Sequence, residues 1–315
     1  MAKDTFEIML AKSAEVKQVR ELELLAYSNA VGVGLGFKMI NGQETKDLAV
    51  VVYVEKKIDR EKLPADELIP ETLPVPETSE EIKTDVVEIG RIEAQSFKTR
   101  LRPVRPGYSI GHYKITAGTF GCLVREACYP CRTYILSNNH VLANSNAAHI
   151  GDPILQPGSY DGGTYPADMV ARLSRFVPIH FGSPARYNLV DAALALPLDQ
   201  RYIIASVAGL GIPKGTVEAT LGMEVVKSGR TTQITTGKVT GIDVTVAVNY
   251  GVGVGYFRNQ ILTTNMSKGG DSGSLLMSRA EQKATGLLFA GSDRVTIHNN
   301  IANVLMAFGV EIVTA

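Results

Sequence analysis

Ser267-Lys268-Gly269-Gly270-Asp271-Ser272-Gly273-Ser274-Leu275-Leu276 is the stretch on which the reading of this chain turns. A turn of small residues presents one serine, and an apolar run follows it. A serine hydroxyl is a weak nucleophile unless it is exposed beside a base. Glycines around it let the backbone aim N–H groups at a developing oxyanion, because no Cβ blocks the required conformations. The bland alternative is a Gly/Ser/Asp turn ahead of a buried strand. What separates the two is whether the rest of the chain supplies a histidine and a carboxylate.

It supplies both in suitable settings. Ile135-Leu136-Ser137-Asn138-Asn139-His140-Val141-Leu142 sets His140 at a polar turn just after an apolar strand. Asn188-Leu189-Val190-Asp191-Ala192-Ala193-Leu194-Ala195 sets Asp191 beside a run of small apolar residues. Taken singly, such a histidine is a surface or hydrogen-bonded residue and such an aspartate a turn former. Together they run His, Asp, Ser along the chain, the order of the chymotrypsin arrangement.

The surrounding texture agrees. From Tyr108 onward short apolar runs alternate with Gly, Pro, Asn and Asp turns, as in Gly121–Arg125, Tyr134–Ser137, Met223–Lys227, Gly237–Val248 and Ala284–Ala290. Many short strands at this spacing indicate a β-sandwich or β-barrels. Only Asn300–Phe308, near the end, has helical periodicity. Before Tyr108 the chain reads differently. Phe6, Met9, Leu10, Val16, Val19, Leu22 and Leu25 recur at helical spacing. Val31–Met39 alternates glycine with apolar residues. Its GxGxG lacks the strand before and helix after that a phosphate loop needs, and the Asn41-Gly42 turn followed by Leu48–Val54 makes it a hairpin. Lys56–Glu81 is charged and proline-rich, and another strand begins at Thr84. These features predict a mainly β protein in which a small α/β domain (1–97) and a basic linker (98–107) precede the β-rich domain (108–315).

The 315 residues carry no net charge, which offers no bulk attraction to nucleic acid or an acidic membrane. No apolar run reaches the roughly 18 residues of a membrane span. The charged N-terminus lacks the apolar core of a secretory signal, so a cytoplasmic location is expected. Three cysteines, Cys122, Cys128 and Cys131, do not make a disulfide framework. Cys128-Tyr129-Pro130-Cys131 has metal-ligand spacing, but no second pair or paired histidines accompany it. No metal is expected.

On these residues nearly all of 107–315 resembles the trypsin-like (chymotrypsin-fold) serine proteases. LSNNHVL resembles the histidine turn of HtrA-type proteases, VDAALA the aspartate segment and GGDSGSLL the serine loop. Ser228-Gly229-Arg230-Thr231-Thr232 resembles a motif of bacterial secreted members such as α-lytic protease, and Gly286–Gly291 looks like the strand beside the substrate backbone. The whole chain, with its glycine-alternating strand and LPADELIPETL segment, is similar to bacterial relatives of the plant Narrow Leaf trypsin-like proteases.

The resemblance implies a chymotrypsin-like double β-barrel and a serine endopeptidase acting on polypeptides without a cofactor. His140 is the implied general base and acid, Asp191 its orienting carboxylate and Ser272 the nucleophile. The N–H groups of Gly270 and Ser272 are the implied oxyanion hole. Asp271 is expected to shape that turn by pairing with Arg230. Met266 is expected at the floor of the primary pocket, with Phe289, Ala290 and Gly291 along its wall. No Asp or Glu is expected at that floor, which implies an apolar or small substrate side chain; Phe289 departs from the serine many members carry there. The competing reading is a non-proteolytic binding or scaffold protein on the same fold; on either reading the N-terminal domain could mediate homo-oligomer contacts, occlude the cleft or select substrates. An esterase of the α/β-hydrolase type would need the order Ser, Asp, His and strand–helix alternation, and has neither.

Overall fold

The computed structural model describes residues 3–40, 42–90, 96–115, 117–126 and 132–314. The chain forms two compact units, Met1–Gln95 and Ser96–Ala315. Cys128 and Cys131 lie outside the described residues, and Cys122 is a buried free thiol. No described helix is long and apolar enough to cross a membrane.

Unit 1 contains α1 (Lys3–Leu25), β1 (Ala30–Ile40), β2 (Gln43–Val54), β3 (Thr72–Pro74) and β4 (Glu81–Glu88). The strand order is β1-β2-β4-β3. β1 and β2 pair antiparallel as the expected hairpin, so the glycine-alternating stretch is a strand, with the Tyr53 ring lying over Gly32 and Gly34. β4 joins β2 in parallel, which requires a crossover, and the proline-rich segment between them provides it. Val16 and Leu24 of α1 pack on Val50, Val52, Val54 and Leu73. Helical periodicity groups Val19, Leu22 and Leu25 with the buried residues, yet they are 63%, 80% and 43% exposed. The apolar residues of α1 surround its whole circumference, so contact with the sheet covers one stripe and leaves another bare.

Unit 2 has two lobes. The first contains β5 (Ser109–His112), β6 (Gly118–Thr119), β7 (Cys122–Glu126), β8 (Thr133–Ser137), the single turn α2 (Asn139–Leu142), β9 (Pro153–Leu155), β10 (Met169–Phe176) and β11 (Ala193–Pro197). The second contains β12 (Glu224–Gly229), β13 (Gln233–Asn249), β14 (Val254–Thr264), β15 (Leu275–Ser278), β16 (Ala284–Gly291) and β17 (Val295–Asn300). The helix α3 (Ile301–Phe308) then returns the chain to the first lobe, where β18 (Val310–Ile312) pairs with β7. The Asn300 side chain caps α3 by accepting from the Ala302 N–H, and left-handed Gly309 ends it.

The first lobe is an eight-stranded sheet in the order β18-β7-β8-β11-β10-β9-β5-β6, and the second is the closed barrel β12-β13-β14-β17-β16-β15. Ile110, Phe120, Ile135, Leu142, Ile154 and Leu173 fill the first core, and Val225, Val239, Ile261 and Leu276 the second. A third cluster takes Leu136 and Leu194 from one lobe and Leu275 and Leu287 from the other, so the lobes are joined by core packing. Each such side chain contributes about 1.5–3 kcal/mol by leaving water.

Residues 98–107 are not a free linker. Val104 is fully buried and its N–H bonds the Tyr202 carbonyl at 2.7 Å. The Leu101 N–H bonds the Gln156 side chain at 2.9 Å, and Arg105 donates to the Ser206 carbonyl. The basic charges and prolines that suggested a connector are spent on anchoring this segment to unit 2.

Candidate active site

β8 and β11 are antiparallel neighbours, with Ser137 opposite Ala193. That register places the residues just after β8 beside those just before β11. His140, on α2, therefore meets Asp191, which lies 51 positions further along the chain, across one strand spacing in the sheet. The Nδ1–H of His140 donates to Asp191 Oδ2 at 2.5 Å, and the His140 backbone N–H reaches Oδ1 at 3.2 Å. Asn138 donates its side-chain amide to the Asp191 carbonyl, and the Asp191 N–H donates to Asn299 Oδ1. Asp191 is fully buried, while the His140 side chain is 22% exposed and reaches the cleft.

Ser272 comes from the other lobe, on the turn ahead of β15. Its carbonyl accepts from the Thr119 N–H at 2.7 Å, and Thr119 in turn accepts a bond from Ser137 Oγ on the strand that leads to His140. Gly118 is pressed between the Val141 side chain and the Ser272 carbonyl, so the serine turn and the histidine turn pack on one strand. Among the described residues no hydrogen bond links Ser272 Oγ to the imidazole; in unliganded hydrolases such bonds are often long and tighten with substrate. Gly273, at φ +95°, is required, since a Cβ there would lie 2.2 Å from Thr119 O and from Ser137 Oγ. Gly270 is at φ +96°. Among the described residues neither the Gly270 nor the Ser272 N–H donates to a protein acceptor, which leaves both for an incoming oxygen.

The Asp271 partner differs from expectation. Arg230 does not pair with it. Arg230 makes a bidentate bond to Asp161 of the first lobe, Nε to Oδ2 at 2.6 Å and Nη2 to Oδ1 at 2.5 Å, with both side chains nearly buried. The cation facing Asp271 is Lys227, at 3.3 Å, with both side chains fully buried. The carboxylate also accepts from the N–H groups of Thr231, Thr232 and Lys268 and from Thr232 Oγ1. Lys227 further donates to Thr232 Oγ1 and the Gln233 carbonyl. Burial pushes the Lys227 ammonium below its usual pKa, and Asp271 opposes that shift. The geometry follows from period two: Lys227 shares the inward face of β12 with Val225, whereas Arg230 lies past the strand end. Arg230 still supports the serine turn, because its Nη1 occupies the space where a Cβ on Gly270 would sit, 2.4 Å away.

The pocket also differs. Beside Ser272 lies a cavity of about 480 Å³ walled by Asn265, Ser267, Lys268, Leu288, Ala290, Gly291, Ser292 and Asp293. Ala290 and Gly291 are on its wall as expected. Met266 is not at its floor; it is 4% exposed and packed in the barrel core with Val239 and Ile261. Phe289 packs on Phe257 and Ile179 and faces the His140 side of the cleft. The lining mixes the apolar Leu288 and Ala290 with the polar Asn265, Ser267 and Ser292, and Asp293 stands at its exposed edge. Side chains alternate along β16, which turns Phe289 away from the face that Leu288 and Ala290 present.

One residue had no signal in the sequence at all. Tyr250, in the turn between β13 and β14, donates its phenol to Asp191 Oδ2 at 2.8 Å.

Two β lobes with a histidine–aspartate pair in one and a glycine-framed serine in the other define the chymotrypsin-like serine-protease fold. Among solved structures, a Nocardiopsis protease (NAPase) aligns with a TM-score of 0.50 at 16% identity, over 67% of this chain and all of its own. In sequence, the chain is 39% identical over 100 residues to streptogrisin-D of Streptomyces griseus, a match covering 30% of this chain and 24% of that protein. It is 43% identical over 81 residues to glutamyl endopeptidase 2 of the same organism, covering 26% of this chain and 35% of that one. The chain thus spans about a third or less of the length of these curated relatives. Residues 2–87 match the family model of the NARROW LEAF 1 N-terminal domain.

Proposed function

We propose that the protein is a serine endopeptidase that cleaves polypeptides through an acyl-enzyme. The observation that carries this reading is the 2.5 Å bond from His140 to buried Asp191, opposite a serine turn whose Gly270 and Ser272 N–H groups donate to no acceptor among the described residues. With Nδ1–H held by the carboxylate, Nε2 is the basic nitrogen. Ser272 Oγ attacks the scissile carbonyl carbon and its proton passes to Nε2. The carbonyl oxygen becomes an oxyanion facing the Gly270 and Ser272 N–H groups. Collapse of the tetrahedral species breaks the C–N bond, and the imidazolium returns its proton to the leaving amine. Water repeats the sequence on the ester and frees Ser272.

Asp191 stabilises the imidazolium that forms in each half-reaction. Each oxyanion donor in such a site contributes about 3–4 kcal/mol to the transition state. In the pocket beside Ser272, the Asn265, Ser267 and Ser292 side chains can hydrogen-bond a substrate group while Leu288 and Ala290 pack on its stem. A cytoplasmic location belongs to the same proposal, and cell fractionation tests it.

The test is cleavage of a peptide library by purified protein, with Ser272→Ala as the control. New termini made by the parent and absent from the variant support the reading. A folded parent that makes none favours a binding protein on this fold.

A further inference from the structure

Asp191 is fully buried, and among the described residues no lysine or arginine pairs with it. Its Oδ2 nevertheless accepts two bonds, one from His140 and one from Tyr250. Tyr250 belongs to the opposite lobe. β13 and β14 form a long hairpin, and the residues at its far end carry the phenol across the cleft to the first lobe. The turn is fixed by a bond from the Tyr250 N–H to the Gly253 carbonyl and another from the Gly251 N–H to Asn249 Oδ1. The ring meets the His140 ring edge-on, with centroids 5.7 Å apart and planes at 66°. Its other contacts are Phe181, also edge-on, and Phe257, so the ring is wedged in aromatic packing.

We propose that Tyr250 is a positioning residue for the His140–Asp191 pair, fixing the carboxylate through its phenol and the imidazole through its ring, and so making the pair depend on the hairpin of the other lobe. The proposal rests on the peptidase reading above. A carboxylate with one oxygen shared between two donors loses a rotational freedom that a single imidazole bond leaves open. The phenol also draws charge from Oδ2. Burial, and then the Asp191 charge, push the phenol's pKa well above its ordinary value, so it remains a donor at any working pH. The hydrogen bond is therefore of the charge-assisted kind, and deleting it leaves more negative charge on the atom facing the imidazole.

That sets the sign of the effect. Without the phenol, Asp191 favours the imidazolium more strongly, and His140 holds its proton to higher pH. The neutral base needed for attack then appears later on the pH scale, and the ring is less well held. The remaining ionisable group on the described walls of this part of the cleft is Lys114, which is common to parent and variant.

The test uses Tyr250→Phe, which keeps the ring and its packing. It is read in the full chain in two ways. In the active background, kcat/KM falls about tenfold, mostly in kcat, and the acidic limb of the pH–rate profile moves to higher pH. In the Ser272→Ala background, where no turnover is needed, NMR titration of the His140 ring shows the same upward movement of its midpoint. Tyr250→Leu, which removes ring and phenol together, loses more activity than Tyr250→Phe. Unchanged kinetics and an unchanged ring titration in Tyr250→Phe, with a fold like the parent's, overturn the proposal. A parent without peptidase activity overturns the functional reading instead, and the ring titration still decides the role of Tyr250.

Discussion

Asp191 and Asp271 are both fully buried on either side of the cleft, yet they are neutralised in opposite ways. Around Asp191 the partners are an imidazole, a phenol and backbone or amide N–H groups. Among the described residues none of them carries a permanent charge. Around Asp271 there is a buried ammonium and four hydrogen-bond donors. The first carboxylate has no permanent cation beside it, as the proposed mechanism requires for a positive charge that comes and goes on His140. The second is satisfied in full and holds a turn in place. A burial value alone does not distinguish a working carboxylate from a structural one; the inventory of its partners does.

This contrast can be broken by substitution. Asp191→Asn keeps the shape and removes the charge. It offers an amide N–H where Nδ1–H needs an acceptor, so kcat should fall by about 10⁴, close to 5.4 kcal/mol, while thermal unfolding changes little. Steady-state kinetics beside a melting curve check this, and equal losses in both would erase the distinction.

Lys227→Met should do the reverse. It leaves a buried anion without its cation and should cost about 3–5 kcal/mol of folding stability in denaturant titration, with activity lost through the displaced serine turn. Adding Asp271→Asn should recover part of that stability and little activity. A double-mutant cycle sharpens the point: coupling above about 1 kcal/mol for Lys227 with Asp271, and within about 0.5 kcal/mol of zero for Arg230 with Asp271. The opposite ranking would restore the arginine pairing expected from the SGRTT motif.

A further effect concerns acid. His298 is buried beside Thr263, and burial, aided by the Lys227 charge, pushes its pKa down from 6.5 to about 3. The unfolded chain then binds a proton below pH 6.5 that the folded one refuses until about 3, so stability should fall as pH drops through that window. The slope from this group is at most about 1.4 kcal/mol per pH unit. His298→Asn should flatten the acid limb of the unfolding curve, and an unaltered slope would place the sensitivity elsewhere.

The three residues His140, Asp191 and Ser272 were legible because each sits in a short local pattern at a strand end, and the sheet register then brings the first two together. The mainly β architecture was legible from turn spacing, and the 30–54 hairpin from the absence of a helix after its glycines. Lys227 was missed although a signal existed. In Glu224-Val225-Val226-Lys227-Ser228-Gly229 a lysine shares the parity of a core valine, and a lysine facing inward demands a buried anion. Tyr250 had no such signal, since its role depends on how far a hairpin reaches across to another lobe. The 98–107 segment misled for a similar reason, because its arginines bond carbonyls and side chains distant in sequence. The buried stripe of α1 was unreadable because apolar residues lie on every side of that helix.

The central claim is that Ser272 is activated by an imidazole whose orientation Asp191 sets. Intact-protein mass spectrometry after exposure to a fluorophosphonate tests it most directly, with His140→Ala treated alongside. One phosphonyl group bound at Ser272 in the parent, and a rate of modification at least 10³ lower in the variant, is the expected result. A folded parent that takes up no label, or one that is labelled as fast without His140, would contradict it.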